Sequence, residues 1–541
     1  MSVPSRAVDA PTRGDEASPA RPSRRWLALA VLCLSLLIVS LDNTVLNVAL
    51  PTLVRDLGAT STDLQWIVDA YVLVFAGLLL VSGSVADRFG RKWTFLAGLV
   101  AFAGCSTWAA FSGSVGMLIA ARASMGLGGA LIMPSTLSLI TSMYSEARER
   151  TRAFGLWSAT TGAGVALGPI IGGVLLAHFS WGSVFLINVP IAALALALAI
   201  PFVPNSQSAT AEPPDLLGAL LSIAGLGLLL WAIIDAPVHG WASPTVIGAG
   251  FGGLAVLAGF CLWEMHATHP MLRLSFFRSR RFSVSVLSIS MVMFGLFGAL
   301  FVLTQFLQFD LGYTALQTGI RVLPAAGSIV VVAPFASVLD RFLGGRLVVG
   351  LGLLLIAAGL WQISSATVLT TYGGIVLGMV LLGVGAALVL PSVTAGVMGS
   401  LPGEHTGVGA ATNAAFIQVG GALGVAVLGS QLLTRYQSQM ATSLAPYHVP
   451  AAIESTIQGS IGGALGVAGR EGGMIGQVLA GWARSAFVNG MDLALLTGAL
   501  VAAVAALLAL IALPGASRRL GRSRPRVVAL PPPGGDGGEE A

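Results

Sequence analysis

Three ionisable side chains lie inside long apolar stretches of the sequence: Asp42, Asp69 and Arg122. Charged groups in such stretches are costly to place in a membrane, so they need a partner or a water-filled cavity. Counted at about 1.5 Å per helical residue from the nearer end of each segment, all three lie at a depth of about 8–10 Å. We predict that they form one cluster facing a cavity. The alternative is a structural ion pair that fixes helix packing.

Such a cluster predicts proton exchange. A carboxyl group in a dry pocket retains its proton more strongly, and a nearby guanidinium favours its release. If Asp42 approaches Arg122 in only one conformation, its proton affinity changes with conformation. Binding of a cationic substrate would also expel the proton. Either route couples proton entry to export. Each charge that crosses 100 mV supplies about 2.3 kcal/mol for this work.

Aromatic and amide side chains next to these acids are candidate substrate contacts. The acids favour a cation, and aromatic rings can stack on one. The candidates are Trp66, Tyr71, Asn43 and Asn47.

A fourth intramembrane charge, Arg321, precedes Asp340 by 19 residues, much as Asp69 precedes Asp87 by 18. It is therefore the counterpart of Asp69 in an internal repeat, with the opposite charge. Three roles stay open: pairing with an acid across two halves, contact with an anionic substrate, or snorkelling to the outer interface.

The composition requires a membrane around these residues. Of 541 residues, 55% are hydrophobic and only 9% are charged, and the mean hydropathy is +0.86. Soluble domains carry about 25% charged residues. About 14 segments are long and apolar enough to cross a bilayer as helices, so the predicted fold class is an all-α polytopic membrane protein. The basic residues are not gathered into a patch with stacking aromatics, which argues against nucleic acid.

The spans arrange into two halves around an insertion, because GSVADRFGRK at 83–92 and ASVLDRFLGGR at 336–346 follow equivalent spans. Repeated halves are typical of secondary transporters. The predicted organisation is a cytoplasmic disordered tail at 1–25, an N-terminal six-helix bundle at 26–203, an inserted two-helix hairpin with a cytoplasmic linker at 204–282, a C-terminal six-helix bundle at 283–513 with a long outer loop at 433–490, and a second cytoplasmic disordered tail at 514–541.

Orientation follows from the basic residues. With both termini in the cytoplasm, 22 of the 28 Lys and Arg residues lie inside and four lie outside. Positive residues concentrate on the cytoplasmic side of membrane proteins. We therefore predict a multi-pass protein of the inner or plasma membrane with both termini cytoplasmic.

Five motifs in order resemble those of the major facilitator superfamily, in its 14-helix drug:proton antiporter branch: LDNTVLNVALP at 41–51, GSVADRFGRK at 83–92, IAARASMGLGGA at 119–130, GAGVALGPIIGG at 162–173 and SWGSVFLINVPI at 180–191. The resemblance implies that fold and alternating access. It also implies that the loop motif latches the cytoplasmic side when the transporter faces outward. The gating residues are then Gly83, Asp87, Arg88, Gly90 and Arg91, with Asp340 and Arg341 in the second copy.

The fifth-helix motif predicts close helix packing. Gly164, Gly168 and Gly172 recur every four residues and share one helix face, which allows a neighbouring helix to approach. Pro169 bends the helix because it removes a backbone hydrogen bond, so this region is a candidate pivot. In the superfamily the pattern accompanies exporters.

The predicted function is proton-coupled export of hydrophobic cationic small molecules such as drugs, dyes or antibiotics. The alternatives are export of one endogenous metabolite, antibiotic or lipid, uptake by the same fold, and a polytopic membrane enzyme, for which no catalytic constellation is found. No cofactor is expected, since the proton gradient supplies the energy. The sequence has no phosphate-binding loop of the Walker type, and this argues against ATP. The expected partners are substrates, protons and the bilayer, and a monomer is sufficient.

Overall fold

The computed structural model describes residues 22–207, 213–401 and 406–513. The predicted tails at 1–25 and 514–541 fall almost entirely outside these ranges. The described chain is helical, without a β-strand. Its α-helices are α1 (Pro22–Leu57), α2 (Ser61–Phe89), α3 (Arg91–Ala110), α4 (Val115–Met143), α5 (Ala147–His178), α6 (Ser183–Leu186), α7 (Asn188–Phe202), α8 (Leu216–Ile234), α9 (Ala236–His239), α10 (Pro244–His266), α11 (Arg280–Gln305), α12 (Ala315–Arg321), α13 (Leu323–Leu343), α14 (Gly345–Ser364), α15 (Tyr372–Met398), α16 (Thr406–Leu444), α17 (Ala451–Gly459), α18 (Ile461–Glu471) and α19 (Gly473–Ala512).

The described residues contain 14 helices long and apolar enough to cross a membrane, which confirms the predicted number. Two of these spans are interrupted: α6 with α7 forms one, and α12 with α13 forms another. An even number of crossings puts the start of α1 and the end of α19 on one side, here named the terminal face. The opposite side is the distal face.

The helices pack as two groups. Helices α1–α7 form the first group, in which α5 packs on α1 and α4 packs on α2 and α3. Helices α11–α16 and α19 form the second group, in which α11 packs on α16 and α14 packs on α15 and α19. Helix α8 packs against α2 and α16, and α10 packs on α8, so this pair covers one of the two seams between the groups.

The two groups meet closely at the distal face. A Cβ atom on Gly319 of α12 would collide with the Pro169 carbonyl group of α5, and one on Gly173 would collide with the backbone of Leu316. Gln308 Nε2 also donates to the Val48 carbonyl oxygen, at 2.9 Å. Toward the terminal face the glycines of these helices make no such close approach. There a Cβ atom on Gly162 of α5 or Gly327 of α13 would meet no atom within 4 Å.

The predicted outer loop at 433–490 is helical for most of its length. Helix α16 continues to Leu444 and α19 already begins at Gly473, with α17 and α18 between them. The many glycines in this segment masked the helices, because glycine lowers helix propensity. Tyr436 Oη holds the segment in place by donating to the Ile457 and Ser460 carbonyl oxygens, at 2.8 and 3.3 Å.

Three glycines of α5 provide its contact with α1. A Cβ atom on Gly164 would lie 2.6 Å from Ser40 Cβ, one on Gly168 would collide with Thr44, and one on Gly172 would lie 3.1 Å from the Val45 carbonyl oxygen. The four-residue spacing therefore places all three against one neighbour.

We expect Gly168→Val to destabilise the protein by about 1–3 kcal/mol, because overpacking of a close helix contact forces backbone shifts. Thermal unfolding of purified protein in detergent measures the change. Gly162→Val is the matched control on the same helix, since its Cβ atom enters open space. Equal unfolding temperatures for the two variants would contradict the close α1–α5 contact.

Candidate functional site

Asp42 and Arg122 form an ion pair between α1 and α4. Arg122 Nη1 donates to Asp42 Oδ2 at 2.5 Å, and the two side chains are only 1% and 2% exposed. Arg122 Nε also donates to the Ile67 carbonyl oxygen of α2, at 3.0 Å, and its guanidinium lies 4.4 Å from the centroid of the Tyr71 ring. The mutual attraction of the pair and these additional hydrogen bonds offset the cost of removing both charges from water.

Asn188 is the third member of this network, and it was absent from the residues predicted from sequence. Its Nδ2 donates to Asp42 Oδ1 at 3.2 Å and to Ser106 Oγ of α3 at 3.0 Å. Asn188 begins α7 where the span is interrupted, because Pro190 has no N–H group for the carbonyl oxygen of Leu186. The sequence contains one signal for Asn188, which is that its amide side chain stands within an apolar run.

In the described conformation Asp69 is not paired with Asp42 or Arg122, so the structure does not bring the three predicted residues together. Its side chain is 0% exposed, and neither carboxyl oxygen has a hydrogen-bond partner. The Tyr71 ring faces Arg122, and Tyr71 is two residues from Asp69. At about 3.6 residues per turn, a two-residue offset points to the other side of the helix. Equal depth therefore did not imply proximity.

Asp69 lies instead on the face of α2 that meets α16 of the second group. One turn before it, Gln65 accepts a hydrogen bond from Ser430 Oγ at 3.1 Å. After it, Val72 and Ala76 line a narrow gap shared with α8 and α16. A carboxyl group buried here without a partner is far more stable neutral than charged. Asp42, Asp69 and Arg122 are therefore all buried in this state rather than exposed to a cavity.

The candidate substrate contacts divide between different sites. Tyr71 is fully buried under Arg122, and its Oη has no hydrogen-bond partner. Asn43 and Asn47 both donate to the backbone of their own helix, to Val39 at 2.9 Å and to Asn43 at 3.1 Å. Of these candidates, only Tyr71 touches the ion pair.

Trp66 belongs to the distal face, away from the ion pair. Its Nε1 donates to Asp235 Oδ2 at 3.1 Å, in the turn between α8 and α10. Burial raises the pKa of Asp235 above its ordinary value, while the Trp66 hydrogen bond and His239 oppose that shift. This contact ties the inserted pair to α2.

Arg321 is the last residue of α12 and occupies an aromatic pocket. Its guanidinium carbon lies 3.9 Å from the Tyr313 ring centroid and 5.5 Å from that of Tyr372. Its Nη1 donates to the Gln317 carbonyl oxygen at 3.4 Å. No ion pair between Arg321 and a described carboxylate is formed in this state. Pairing with an acid across the two groups is therefore not seen here.

The first loop motif ends α2 with a salt bridge. Asp87 Oδ1 accepts from Arg91 Nε at 2.7 Å, and both side chains are partly exposed. Gly90 makes the turn with a φ of 102°, a value that favours glycine, and its N–H donates to the Ala86 carbonyl oxygen. Gly83 faces open space, and Arg88 lies 5.9 Å from the Phe89 ring.

The second copy preserves the turn but not the salt bridge. Gly344 has a φ of 83° and its N–H donates to the Asp340 carbonyl oxygen. Leu343 is the inserted residue, so Gly345 stands where the first copy has Arg91. Arg341 is exposed. The described residues contain no group of three or more His, Cys, Asp or Glu side chains placed to hold a metal ion.

We expect Arg122→Met to destabilise the protein by about 3–5 kcal/mol, because it leaves the Asp42 carboxylate buried and unpaired. Thermal unfolding in detergent measures this loss. The loss should shrink at acidic pH, where protonation of Asp42 removes the unpaired charge. Asp42→Asn/Arg122→Met is the matched control and should recover most of the stability. A single variant as stable as the wild type would contradict the buried pair.

The sequence comparisons place this architecture in a known family. The model of the Major Facilitator Superfamily matches residues 32–425, and the chain belongs to this family of membrane transporters. It is 35% identical over 498 residues to the tetracenomycin C resistance and export protein of Streptomyces glaucescens, covering 90% of this chain and 91% of that protein. It is 36% identical to the multidrug efflux pump LfrA of Mycolicibacterium smegmatis, covering 82% and 88%.

The fold agrees with solved structures of the same kind. A bacterial homolog of the human lysosomal transporter Spinster, crystallised in an inward-facing and unoccupied conformation, superposes with a TM-score of 0.62. The match covers 91% of this chain and 98% of that structure at 16% identity. This confirms the predicted fold class.

Proposed function

We propose that the protein is a proton-coupled exporter of hydrophobic cationic small molecules such as drugs, dyes or antibiotics, working by alternating access. The observation that carries this proposal is the buried Asp42–Arg122 pair, with the unpartnered carboxyl group of Asp69 on another face of α2. The relatives named as export and efflux proteins support the direction of transport and the substrate class. The proton gradient is the energy source, and no cofactor or ATP takes part.

In this proposal the two acids hold opposite protonation states in the described conformation. Asp42 is ionised and paired with Arg122. Asp69 is neutral, because a charge there would have no partner. Opening of the seam between Gln65 and Ser430 would admit water to Asp69. A change of conformation can therefore exchange protons at both carboxyl groups.

We propose that both termini are cytoplasmic in the cell membrane, as the distribution of Lys and Arg favours. The terminal face is then the cytoplasmic one. A conformation in which the two groups meet closely at the distal face is then inward-facing. A green fluorescent protein fused after Ala541 should fluoresce, and an alkaline phosphatase fused at the same place should be inactive. An active phosphatase would reverse the orientation.

The gating loop and the pivot fit the same cycle. Among the described residues Asp87 is paired with Arg91 of its own loop alone, so it is available to the second helix group when the terminal face closes. Asp340 and Arg341 act in the equivalent latch, which lacks the salt bridge and is weaker. Gly164, Gly168, Pro169 and Gly172 form the pivot, and a single chain contains every part of this machinery.

Efflux of tetraphenylphosphonium, a lipophilic cation, tests the proposal. Everted vesicles energised by respiration should accumulate the cation when they contain the protein, and a protonophore should abolish accumulation. Vesicles without the protein are the control. Proton-driven movement of the cation in the opposite direction would show uptake, and no proton-dependent movement would refute the proposal.

One relative favours a narrower second candidate, export of a single antibiotic made by the cell. The relative from Streptomyces glaucescens is named for resistance to one compound, tetracenomycin C. A panel of unrelated lipophilic cations separates the two candidates, because a multidrug exporter moves several and a dedicated exporter moves none or one.

A further inference from the structure

The amide of Asn188 is the one described side chain, apart from Arg122, that is hydrogen-bonded to Asp42. It is 0% exposed, and its Oδ1 atom has no hydrogen-bond partner. Buried polar atoms without partners are rare and call for an explanation. One explanation is that the Oδ1 atom gains a hydrogen-bond partner when the protonation state of the site changes.

Arg122 and Asn188 differ in which form of Asp42 they can bind. A guanidinium has donors only, so it matches the ionised carboxylate and offers nothing to a carboxylic acid proton. An amide has both a donor and an acceptor. When Asp42 takes up a proton, the amide that already contacts it can offer its carbonyl oxygen as the acceptor.

The local geometry permits the required reversal of the amide. Rotation by half a turn would place Oδ1 where Nδ2 now lies, 3.2 Å from Asp42 Oδ1. The reversal gives up the two hydrogen bonds that Nδ2 now donates, to Asp42 Oδ1 and to Ser106 Oγ, in exchange for the one accepted from the protonated Asp42, and it gives up none at the present oxygen position. Ser106 keeps its own bond, because its Oγ donates to the Phe185 carbonyl oxygen at 2.9 Å.

We propose that Asn188 is a positioning residue for proton exchange, whose reversed side-chain amide accepts a hydrogen bond from the protonated Asp42. This inference rests on the proposed function, in which Asp42 exchanges the coupled proton. In the ionised state Asn188 adds one long bond to a carboxylate that Arg122 already holds. In the protonated state it supplies the acceptor. Its removal therefore weakens the protonated form more than the ionised form.

The test is equilibrium binding of tetraphenylphosphonium to purified full-length protein as a function of pH. Protons compete with the cation, so binding falls as the pH is lowered. For Asn188→Ala we expect the midpoint of this profile to move toward acid by about one pH unit. Asn188→Ser keeps a shorter acceptor and should lie between the alanine variant and the wild type. An unchanged or alkaline-shifted midpoint for Asn188→Ala would overturn the proposal.

Ser106→Ala is the matched control from the same network. It removes the group that holds the amide nitrogen in its present orientation, so its midpoint should not move toward acid. If Asn188→Ala does not fold, the Asn188→Ser variant tests the proposal instead. A wild-type midpoint for Asn188→Ser would then contradict the positioning role of Asn188. Asn188→Ala added to Asp42→Asn should produce no further shift.

The two proposals fail in different ways. If Asp42→Asn retains the wild-type pH profile, the coupling role of Asp42 is wrong. If Asp42→Asn loses the profile while Asn188→Ala retains it, only the positioning role is wrong.

Discussion

Asp42→Asn is expected to abolish concentrative export while downhill movement of substrate persists. An amide at position 42 cannot exchange a proton for the substrate, so a proton that Asp69 still carries is no longer tied to substrate export. A proton crossing 100 mV provides about 2.3 kcal/mol, equivalent to a roughly fifty-fold gradient of a neutral substrate. Exchange of one proton for a monovalent cation such as tetraphenylphosphonium moves no net charge, so that exchange is driven by the pH difference, at about tenfold per pH unit. The proton-driven part of the steady-state gradient should be lost in the variant. Counterflow of labelled tetraphenylphosphonium measures the remaining downhill exchange.

The same substitution leaves Arg122 buried without its counter-ion, and that alone could impair folding. Asp42→Asn/Arg122→Gln separates the two effects because it removes both charges. This double variant should fold and bind substrate but not concentrate it. Recovery of a pH-driven gradient in the double variant would show that the pair is structural and carries no coupling.

The fold could be predicted from the sequence because membrane spans depend on local composition. A run of about 20 apolar residues specifies a spanning helix without knowledge of its neighbours. Gly164, Gly168 and Gly172 are a similar case, since their spacing alone defines one helix face. The neighbour they meet, α1, required the structure.

The site was harder to predict because it depends on which face each residue occupies. Depth along a helix follows from residue number, and this gave equal depths for Asp42, Asp69 and Arg122. Direction around the helix axis depends on packing, and packing separated Asp69 from the other two. Asn188 was missed because its amide carries no charge, so it did not stand out as a costly group.

Asp69→Asn is expected to fold and bind substrate normally but to lower the number of protons exchanged per substrate by one. Asparagine has nearly the shape of the neutral acid, and the carboxyl group of Asp69 is buried without a partner. The substitution should therefore mimic the proton-loaded form in the described conformation. For each unit of pH difference across the membrane, loss of one proton lowers the attainable substrate gradient about tenfold. Substrate gradients measured at several imposed pH differences give the stoichiometry.

Asp63→Asn is the matched control, since it makes the same chemical change on the same helix. Asp63 lies at the exposed start of α2, where its carboxylate accepts from the Thr60 N–H at 2.8 Å. Its loss should cost about 1 kcal/mol of helix capping and leave the stoichiometry unchanged. A wild-type stoichiometry for Asp69→Asn would assign all coupling to Asp42. An unfolded Asp69→Asn protein would instead indicate that Asp69 is charged in this state, with a partner that a neutral amide cannot replace.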